Sequence, residues 1–126
     1  SKTKYIISKI KKEINKNNKN LNTLTLSCFG ISYKPNVPDL RESPGLKIAE
    51  EISSWGLKRL NIVEPNIDLL PSTLDKQNVR LTSINESIKS SDIILFLVGH
   101  ESFKKIKFID IKGTEVYDLV GISTNF

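Results

Sequence analysis

One segment of the chain combines charged side chains with residues that break regular structure. Between Ser32 and Glu42 it holds two prolines together with Lys34 and Arg41, so it continues neither a strand nor a helix. It follows an apolar run that predicts a strand, and the carboxyl ends of strands in an open α/β sheet point into the ligand crevice. The helix predicted to start at Pro44 adds free backbone N–H groups and the positive end of its dipole. Two cations beside a helix N-terminus predict an anion site suited to phosphate or pyrophosphate.

The same charges have a simpler interpretation, which stays open at this point. Lys34 could pair with Asp39, and Arg41 with Glu42 or Glu50. Surface salt bridges of that kind contribute about 0–1 kcal/mol each. In that case the loop would carry no ligand site.

A dinucleotide site of the usual kind is not encoded here. No Gly-x-Gly-x-x-Gly occurs, because the glycine that follows Gly30 is Gly45, and that fingerprint is what brings the backbone close to a pyrophosphate. Glu64, at the end of a predicted strand, could accept hydrogen bonds from a ribose, or could belong to a turn with Pro65. The sequence therefore argues against a main NAD site in this chain.

No set of side chains predicts a catalytic centre. Cys28 lies in an apolar strand and is expected to be a buried, unreactive thiol. His100, next to Glu101, could do acid–base chemistry, although a histidine that caps the start of a helix is the more common role. With one cysteine and one histidine in the chain, neither a disulfide nor a structural zinc site is expected. We predict binding features without catalytic residues and without a metal.

The elements that position these residues alternate between strands and helices. Apolar, β-prone runs predict strands over 24–31, 60–63, 92–98 and, more weakly, 108–110. Ser43 as N-cap, Pro44 in the first turn and Gly56 as a stop predict one helix. Ser83 and Glu86 have the spacing of a capping box and predict another. This alternation predicts a single α/β domain with a Rossmann-like, doubly wound, mainly parallel sheet.

The amino-terminal segment carries the basic excess of the chain. The 126 residues have a formal charge of +5, and seven lysines and one glutamate fall within the first 20. A predicted helix over 5–14 places four isoleucines on one face. Lysines without interleaved aromatic residues argue against nucleic-acid binding, and no apolar run reaches the roughly 20 residues of a membrane span. We expect a cytoplasmic protein with no nucleic-acid or membrane partner.

Beyond these patterns, the chain carries a long and specific motif. The run Gly30–Pro44 resembles the signature of the C-terminal domain of the UDP-glucose/GDP-mannose dehydrogenase family. Further segments follow in the order found in the UDP-N-acetylmannosamine dehydrogenase branch, at 63–67, 70–71, 97–103 and 109–113. The resemblance implies a UDP-sugar-binding Rossmann-like domain over 21–126, preceded by a linking helix over 1–20.

The resemblance also implies roles for individual residues. Lys34 matches the lysine that contacts the nucleotide-sugar, and Tyr33 matches the neighbouring aromatic residue of that site. Arg41 matches the arginine that reaches NAD across the domain cleft. Lys112 matches, with a different spacing, basic residues near the UDP.

For a whole enzyme, the resemblance implies a homodimer in which an N-terminal NAD-binding domain and a central dimerisation domain join this one. Such an enzyme oxidises the C6 hydroxyl of a UDP-sugar to a carboxylate and reduces two NAD, with its catalytic cysteine upstream of this domain. Cys28 does not match the motif of that cysteine, so the chain alone is expected to be inactive. The alternative is a stand-alone nucleotide-sugar-binding or regulatory module without catalysis.

Overall fold

A five-stranded parallel sheet forms the centre of the computed structural model, which describes residues 2–17 and 19–122. Its strands are β1 (Thr25–Phe29), β2 (Arg59–Val63), β3 (Val79–Leu81), β4 (Ile93–Phe96) and β5 (Glu115–Asp118). The α-helices are α1 (Lys2–Lys16), α2 (Pro44–Ser53), α3 (Ile84–Ser90) and α4 (Phe108–Ile111). Short 3₁₀ helices cover Leu21–Thr23, Ser72–Leu74 and Glu101–Lys105. The elements confirm the predicted α/β class.

The order of the strands creates a switch point beside β1. The sheet runs β3-β2-β1-β4-β5, so the chain builds outward on one side of β1 and then returns to build on the other. At the carboxyl end of β1, Phe29 lies opposite Val63 of β2 and Phe96 of β4. The loops that leave β1 and β4 therefore diverge and open a crevice, as in doubly wound sheets that bind nucleotides. This confirms the predicted Rossmann-like topology.

Helices cover both faces of the sheet. On one face α1 and α2 pack against β1, β2 and β4, with Ile10 and Ile14 of α1 buried as the helical spacing predicts. On the other face Phe29, Phe96 and Phe103 contact one another, with ring centroids 5.1, 5.2 and 6.1 Å apart. In the part of the chain that the structure describes, no helix is long and apolar enough to cross a membrane. Two cores thus hold the central strands, and the crevice sits at the end of a rigid sheet.

One expectation about a strand is wrong, and two strands were not predicted. Residues 108–110, predicted as a weak strand, form the one-turn helix α4, in which Phe108 and Ile109 are exposed. The fifth strand is β5, whose sequence mixes acidic and apolar residues and whose four residues are all half-buried. The pattern also gives no indication of β3, because three residues are too few for a periodic signal. Of the predicted linker and domain, residues 1, 18 and 123–126 lie outside the described residues.

Ser43 joins α2 to the turn after β1. Its Oγ accepts the N–H of Leu46 at 3.1 Å and donates to the carbonyl of Ile31 at 2.7 Å, so the predicted N-cap is confirmed and also bridges two elements. Ser83 caps α3 on the exposed surface by accepting the N–H of Glu86 at 3.1 Å.

We expect Ser43→Ala to lower the free energy of unfolding by about 2 kcal/mol, and Ser83→Ala by about 0.5–1 kcal/mol. Urea denaturation measures both, and equal losses would show that the bond to Ile31 contributes nothing.

Candidate functional site

A crevice at the switch point separates the loop after β1 from the segment after β4. Its cavity has a volume of about 440 Å³, and its lining includes Tyr33, Lys34, Gly45, Leu97, Lys104 and Val120. Cavities of this size accommodate small organic ligands. The first turn of α2 contributes to the wall through Gly45, where an added Cβ would lie 3.0 Å from the carbonyl oxygen of Gly30. The fold therefore places the predicted loop, the helix N-terminus and the switch point together.

The backbone of residues 32–42, here called the β1 loop, folds back on itself. The N–H of Tyr33 donates to the carbonyl of Asp39 at 2.6 Å, and Asn36 (φ 64°) and Glu42 (φ 57°) adopt left-handed conformations. Asparagine tolerates that region well, whereas for glutamate it is uncommon and costs on the order of 1 kcal/mol. The surrounding fold must hold the loop in this conformation.

Two lysines border the crevice. Lys34 is exposed, and among the described residues no carboxylate pairs with its ammonium group. Lys104 lines the same cavity and pairs with Glu101 at 3.1 Å within the 3₁₀ helix. Sequence analysis did not identify Lys104, because its place near Lys34 depends on the pairing of β1 with β4. The only sequence signal for it is its position shortly after β4. Lys34 is available to an anionic ligand, and Lys104 is a second cation close by.

Arg41 is engaged with Asp39 at the rim. Its Nε and Nη2 donate to the two carboxylate oxygens at 3.1 and 3.0 Å, which holds the pKa of Asp39 down at about 2 and raises the pKa of Arg41. The salt-bridge interpretation is therefore correct in kind but wrong in its partners, because Asp39 pairs with Arg41 and not with Lys34. In the described chain neither Glu42 nor Glu50 pairs with Arg41. The arginine side chain is 88% exposed, so water screens the pair and the guanidinium stays accessible.

Glu64 is buried beneath the turn that follows β1. Its Oε1 accepts the backbone N–H groups of Ile31 and Ser32 at 2.9 and 3.1 Å, and its Oε2 accepts the backbone N–H of Asn66 at 3.1 Å and its amide at 3.0 Å. Burial by itself raises the pKa of Glu64, but the hydrogen bonds from His100, Ile31 and Asn66 outweigh it and leave that pKa below its ordinary value. Both oxygens are occupied, so the structure favours the turn over the ribose contact.

This carboxylate accepts the hydrogen-bond donors of the turn after β1. In Rossmann folds the backbone N–H groups of the first strand–helix turn approach the pyrophosphate of a dinucleotide. Here the N–H groups of Ile31 and Ser32 point to Glu64 instead. These two N–H groups are therefore not available to a phosphate in the crevice, whose lining offers the side chain of Lys34 and the first turn of α2 instead.

His100 is buried behind the β1 loop, with 1% of its surface exposed. Its side chain does not cap the 3₁₀ helix that follows, so the capping role expected from sequence is wrong. Instead Nε2 lies 2.9 Å from Oε1 of Glu64, and Nδ1 accepts the N–H of Asn36 at 2.8 Å. Glu101 does not orient the ring, because it pairs with Lys104. The imidazole links the β1 loop to Glu64, a partnership between two distant segments that the sequence did not indicate.

Cys28 is enclosed within β1. Its side chain is fully buried and burial raises its pKa to about 12, so the thiol stays protonated and inaccessible, as predicted. Within residues 2–17 and 19–122, no group of three or more His, Cys, Asp or Glu side chains could hold a metal ion. Cys28 therefore adds no reaction chemistry to the crevice.

Lys112 lies toward the other end of the sheet. It follows α4 and precedes Gly113 and Thr114, which line a concavity with Leu24 and Asp92 near the amino ends of β1 and β4. The four residues of β4 span roughly 10–13 Å, and Lys34 lies beyond their carboxyl end. The structure thus does not bring Lys112 together with Tyr33 and Lys34, and its assignment as a substrate-binding residue stays a prediction.

A second concavity, of about 580 Å³, opens at the carboxyl ends of β2 and β3. Its walls include Val63 and Ile88, and its charged residues are one cation, Lys105, and two acids, Glu64 and Asp110. The mixed charge and the engaged Glu64 do not suit an anionic ligand. The switch-point crevice remains the candidate nucleotide site.

Comparison with known proteins places this chain in a family. Residues 27–123 match the model of the UDP-glucose/GDP-mannose dehydrogenase family, UDP binding domain. The UDP-N-acetyl-D-mannosamine dehydrogenase of Escherichia coli K12 is 38% identical over 104 residues, which cover 82% of this chain and 24% of that protein. The NDP-N-acetyl-D-galactosaminuronic acid dehydrogenase of Ralstonia nicotianae is 30% identical over 122 residues, covering 97% of this chain and 27% of that protein.

A solved structure supports the fold independently. The UDP-D-ManNAc dehydrogenase of Pyrococcus horikoshii superposes with a TM-score of 0.72 at 21% identity, over 95% of this chain and 27% of that chain. In all three comparisons the present chain spans about a quarter of the length of the protein it matches.

Proposed function

The chain belongs to the UDP-glucose/GDP-mannose dehydrogenase family, of which it contains the UDP-binding domain, and from that membership we propose that the switch-point crevice binds the UDP part of a UDP-sugar. The observation that carries the proposal is Lys34, an exposed cation at the mouth of the crevice that no carboxylate of the described chain neutralises. Glu64 accepts the N–H groups of Ile31 and Ser32, so Lys34 is the main cation for the diphosphate, with Lys104 as a second cation. Tyr33, 53% exposed beside it, offers a ring to the remaining part of the ligand.

The whole enzyme is proposed to oxidise UDP-N-acetylmannosamine to UDP-N-acetylmannosaminuronate. The support is the set of relatives named UDP-N-acetyl-D-mannosamine dehydrogenase, at 33–38% identity. Oxidation of the C6 hydroxyl to a carboxylate removes four electrons, which two NAD accept as two hydrides, while a water molecule supplies the second carboxylate oxygen and three protons are released. The cysteine chemistry and the dimer belong to domains that precede this one in the proposed enzyme.

This domain does not provide the main binding site for NAD. The chain lacks the glycine fingerprint, and Glu64 occupies the turn N–H groups that would face a pyrophosphate. We propose that NAD is held by the N-terminal domain of the whole enzyme and that Arg41, exposed at the rim, reaches it from this side. Displacing Asp39 from Arg41 costs little because the pair lies in water.

Calorimetric titration of the chain with UDP and with UDP-N-acetylmannosamine tests the site. We expect Lys34→Ala to weaken UDP binding by roughly 10-fold to 100-fold, because a charge-assisted hydrogen bond to phosphate is lost. Lys58→Ala is the matched control, since it removes the same charge from an exposed position at the amino-end edge of β2. Lys112→Ala tests the assignment of that residue, and its distance from the crevice predicts unchanged affinity.

Equal affinities for the Lys34 and Lys58 variants would remove Lys34 from the site. A folded parent chain that binds neither ligand would contradict binding by this domain alone, and would require the other domains of the proposed enzyme to complete the cleft.

A further inference from the structure

Two buried side chains, His100 and Glu64, hold the β1 loop from behind. His100 and Glu64 are 1% and 3% exposed and lie beneath the loop rather than in the crevice. We propose that His100 is a positioning residue for nucleotide binding, because its neutral imidazole, held by Glu64, fixes the β1 loop with Lys34 facing the crevice. This inference rests on the proposed function of the crevice.

The hydrogen bonds define the tautomer of His100. At Nδ1 both neighbours are donors, the N–H of Asn36 at 2.8 Å and the side-chain amide of Asn66 at 3.5 Å. A ring nitrogen that faces donors must present its lone pair. The proton therefore sits on Nε2, where Oε1 of Glu64 accepts it at 2.9 Å. The carboxylate selects the tautomer, and the tautomer supplies the acceptor for the loop.

The bond to Asn36 acts on Lys34 through a short stretch of backbone. Asn36 sits two residues after Lys34 in a left-handed conformation (φ 64°), and its Oδ1 accepts the N–H of Glu101 at 3.0 Å. The carbonyl of Lys34 itself accepts the hydroxyl of Ser32 at 2.9 Å. Hydrogen bonds thus fix the backbone on both sides of Pro35. The bond from the segment after β4 to the backbone of the β1 loop is made by His100.

Two substitutions separate the two nitrogens of the ring. In His100→Asn the amide oxygen takes the place of Nδ1 and can accept the N–H of Asn36, but the side chain is too short to reach Glu64. In His100→Gln the amide nitrogen takes the place of Nε2 and can donate to Glu64, but the acceptor for Asn36 is lost. A role confined to packing or to stability does not distinguish these variants by nucleotide affinity.

We expect His100→Gln to bind UDP about tenfold more weakly than the parent, and His100→Asn to retain most of the affinity. We expect the urea midpoint to fall in His100→Asn, since Glu64 loses a donor. Calorimetry and urea denaturation of the full 126-residue chain measure the two effects. Equal UDP affinities for the two variants would overturn the proposal.

Nitrogen-15 spectra give a readout that does not require a ligand. The parent is expected to show His100 protonated at Nε2 alone at neutral pH, with the amide resonance of Asn36 shifted in His100→Gln and retained in His100→Asn. A proton on Nδ1, or an unchanged Asn36 amide in His100→Gln, would overturn the positioning role. A parent that fails to bind UDP would count against the proposed function, while these spectra still decide whether His100 holds the loop.

Discussion

Replacing Gly30 with alanine is expected to lower the free energy of unfolding by about 3–5 kcal/mol, enough to unfold much of a marginally stable domain. Gly30 directly follows β1 and has φ at +98°, and a Cβ there would lie 2.6 Å from Cβ and 2.9 Å from the backbone nitrogen of Val98. The cost combines left-handed strain with overpacking against a backbone that the sheet holds in place. Urea denaturation followed by circular dichroism and by Trp55 fluorescence measures the loss.

Gly56→Ala separates the two contributions. Gly56 also has a positive φ, +79°, but an added Cβ would meet nothing within 4 Å. Conformational strain alone should cost about 1 kcal/mol there. If the two alanine variants lose the same stability, the close approach of Gly30 to Val98 is not a constraint on the turn that forms the crevice.

Glu64→Ala is the second change with a large expected effect, again about 3–5 kcal/mol. The carboxylate satisfies the N–H groups of Ile31, Ser32 and Asn66 and the Nε2–H of His100. Without it the buried donors of Ile31, Ser32 and His100 lose their acceptor, and each buried unsatisfied group costs about 1–3 kcal/mol before relaxation. Thermal or urea denaturation of the variant tests this, and a loss below about 1 kcal/mol would contradict it.

The pH dependence of stability provides a second test of Glu64. Its pKa is lower in the folded chain than its ordinary value of 4.5, so the native state favours the charged form. The stabilisation is fully present above the ordinary pKa and is lost as pH falls through the folded pKa. We expect the stability difference between the parent and Glu64→Gln to be constant from about pH 6 to 8 and to shrink below about pH 4.

Asp39→Asn is the matched control for that experiment. Asp39 also has a lowered pKa, at about 2, but its partner is the exposed Arg41. Water screens this pair, so its removal should leave the stability near pH 7 almost unchanged. A pH profile altered as strongly by Asp39→Asn as by Glu64→Gln would show that burial does not distinguish the two carboxylates.

The two parts of the site differ in how far sequence predicts them. The proline-rich segment, Lys34 and the cap at Ser43 are local features, because a break in regular structure and an N-cap depend on residues within a few positions of each other. The motif from Gly30 to Pro44 also carried the family resemblance, which the comparison over residues 27–123 bears out. Those residues alone predicted an anion-binding loop at the end of a central strand, with surface salt bridges as the open alternative.

The sequence by itself determined the α/β class, the central strands and helix α2, since apolar runs and helix caps are short-range signals strong enough to survive in any context. Only the tertiary structure decided the edge strands β3 and β5, which depend on pairing with a neighbour more than on their own composition. It also decided that Glu64 closes the turn, that His100 reaches the loop and that Lys104 joins the crevice. Those contacts join segments that are 33 to about 70 residues apart in sequence. The order of the parallel strands brings these segments together, and a local sequence pattern carries no information about that order.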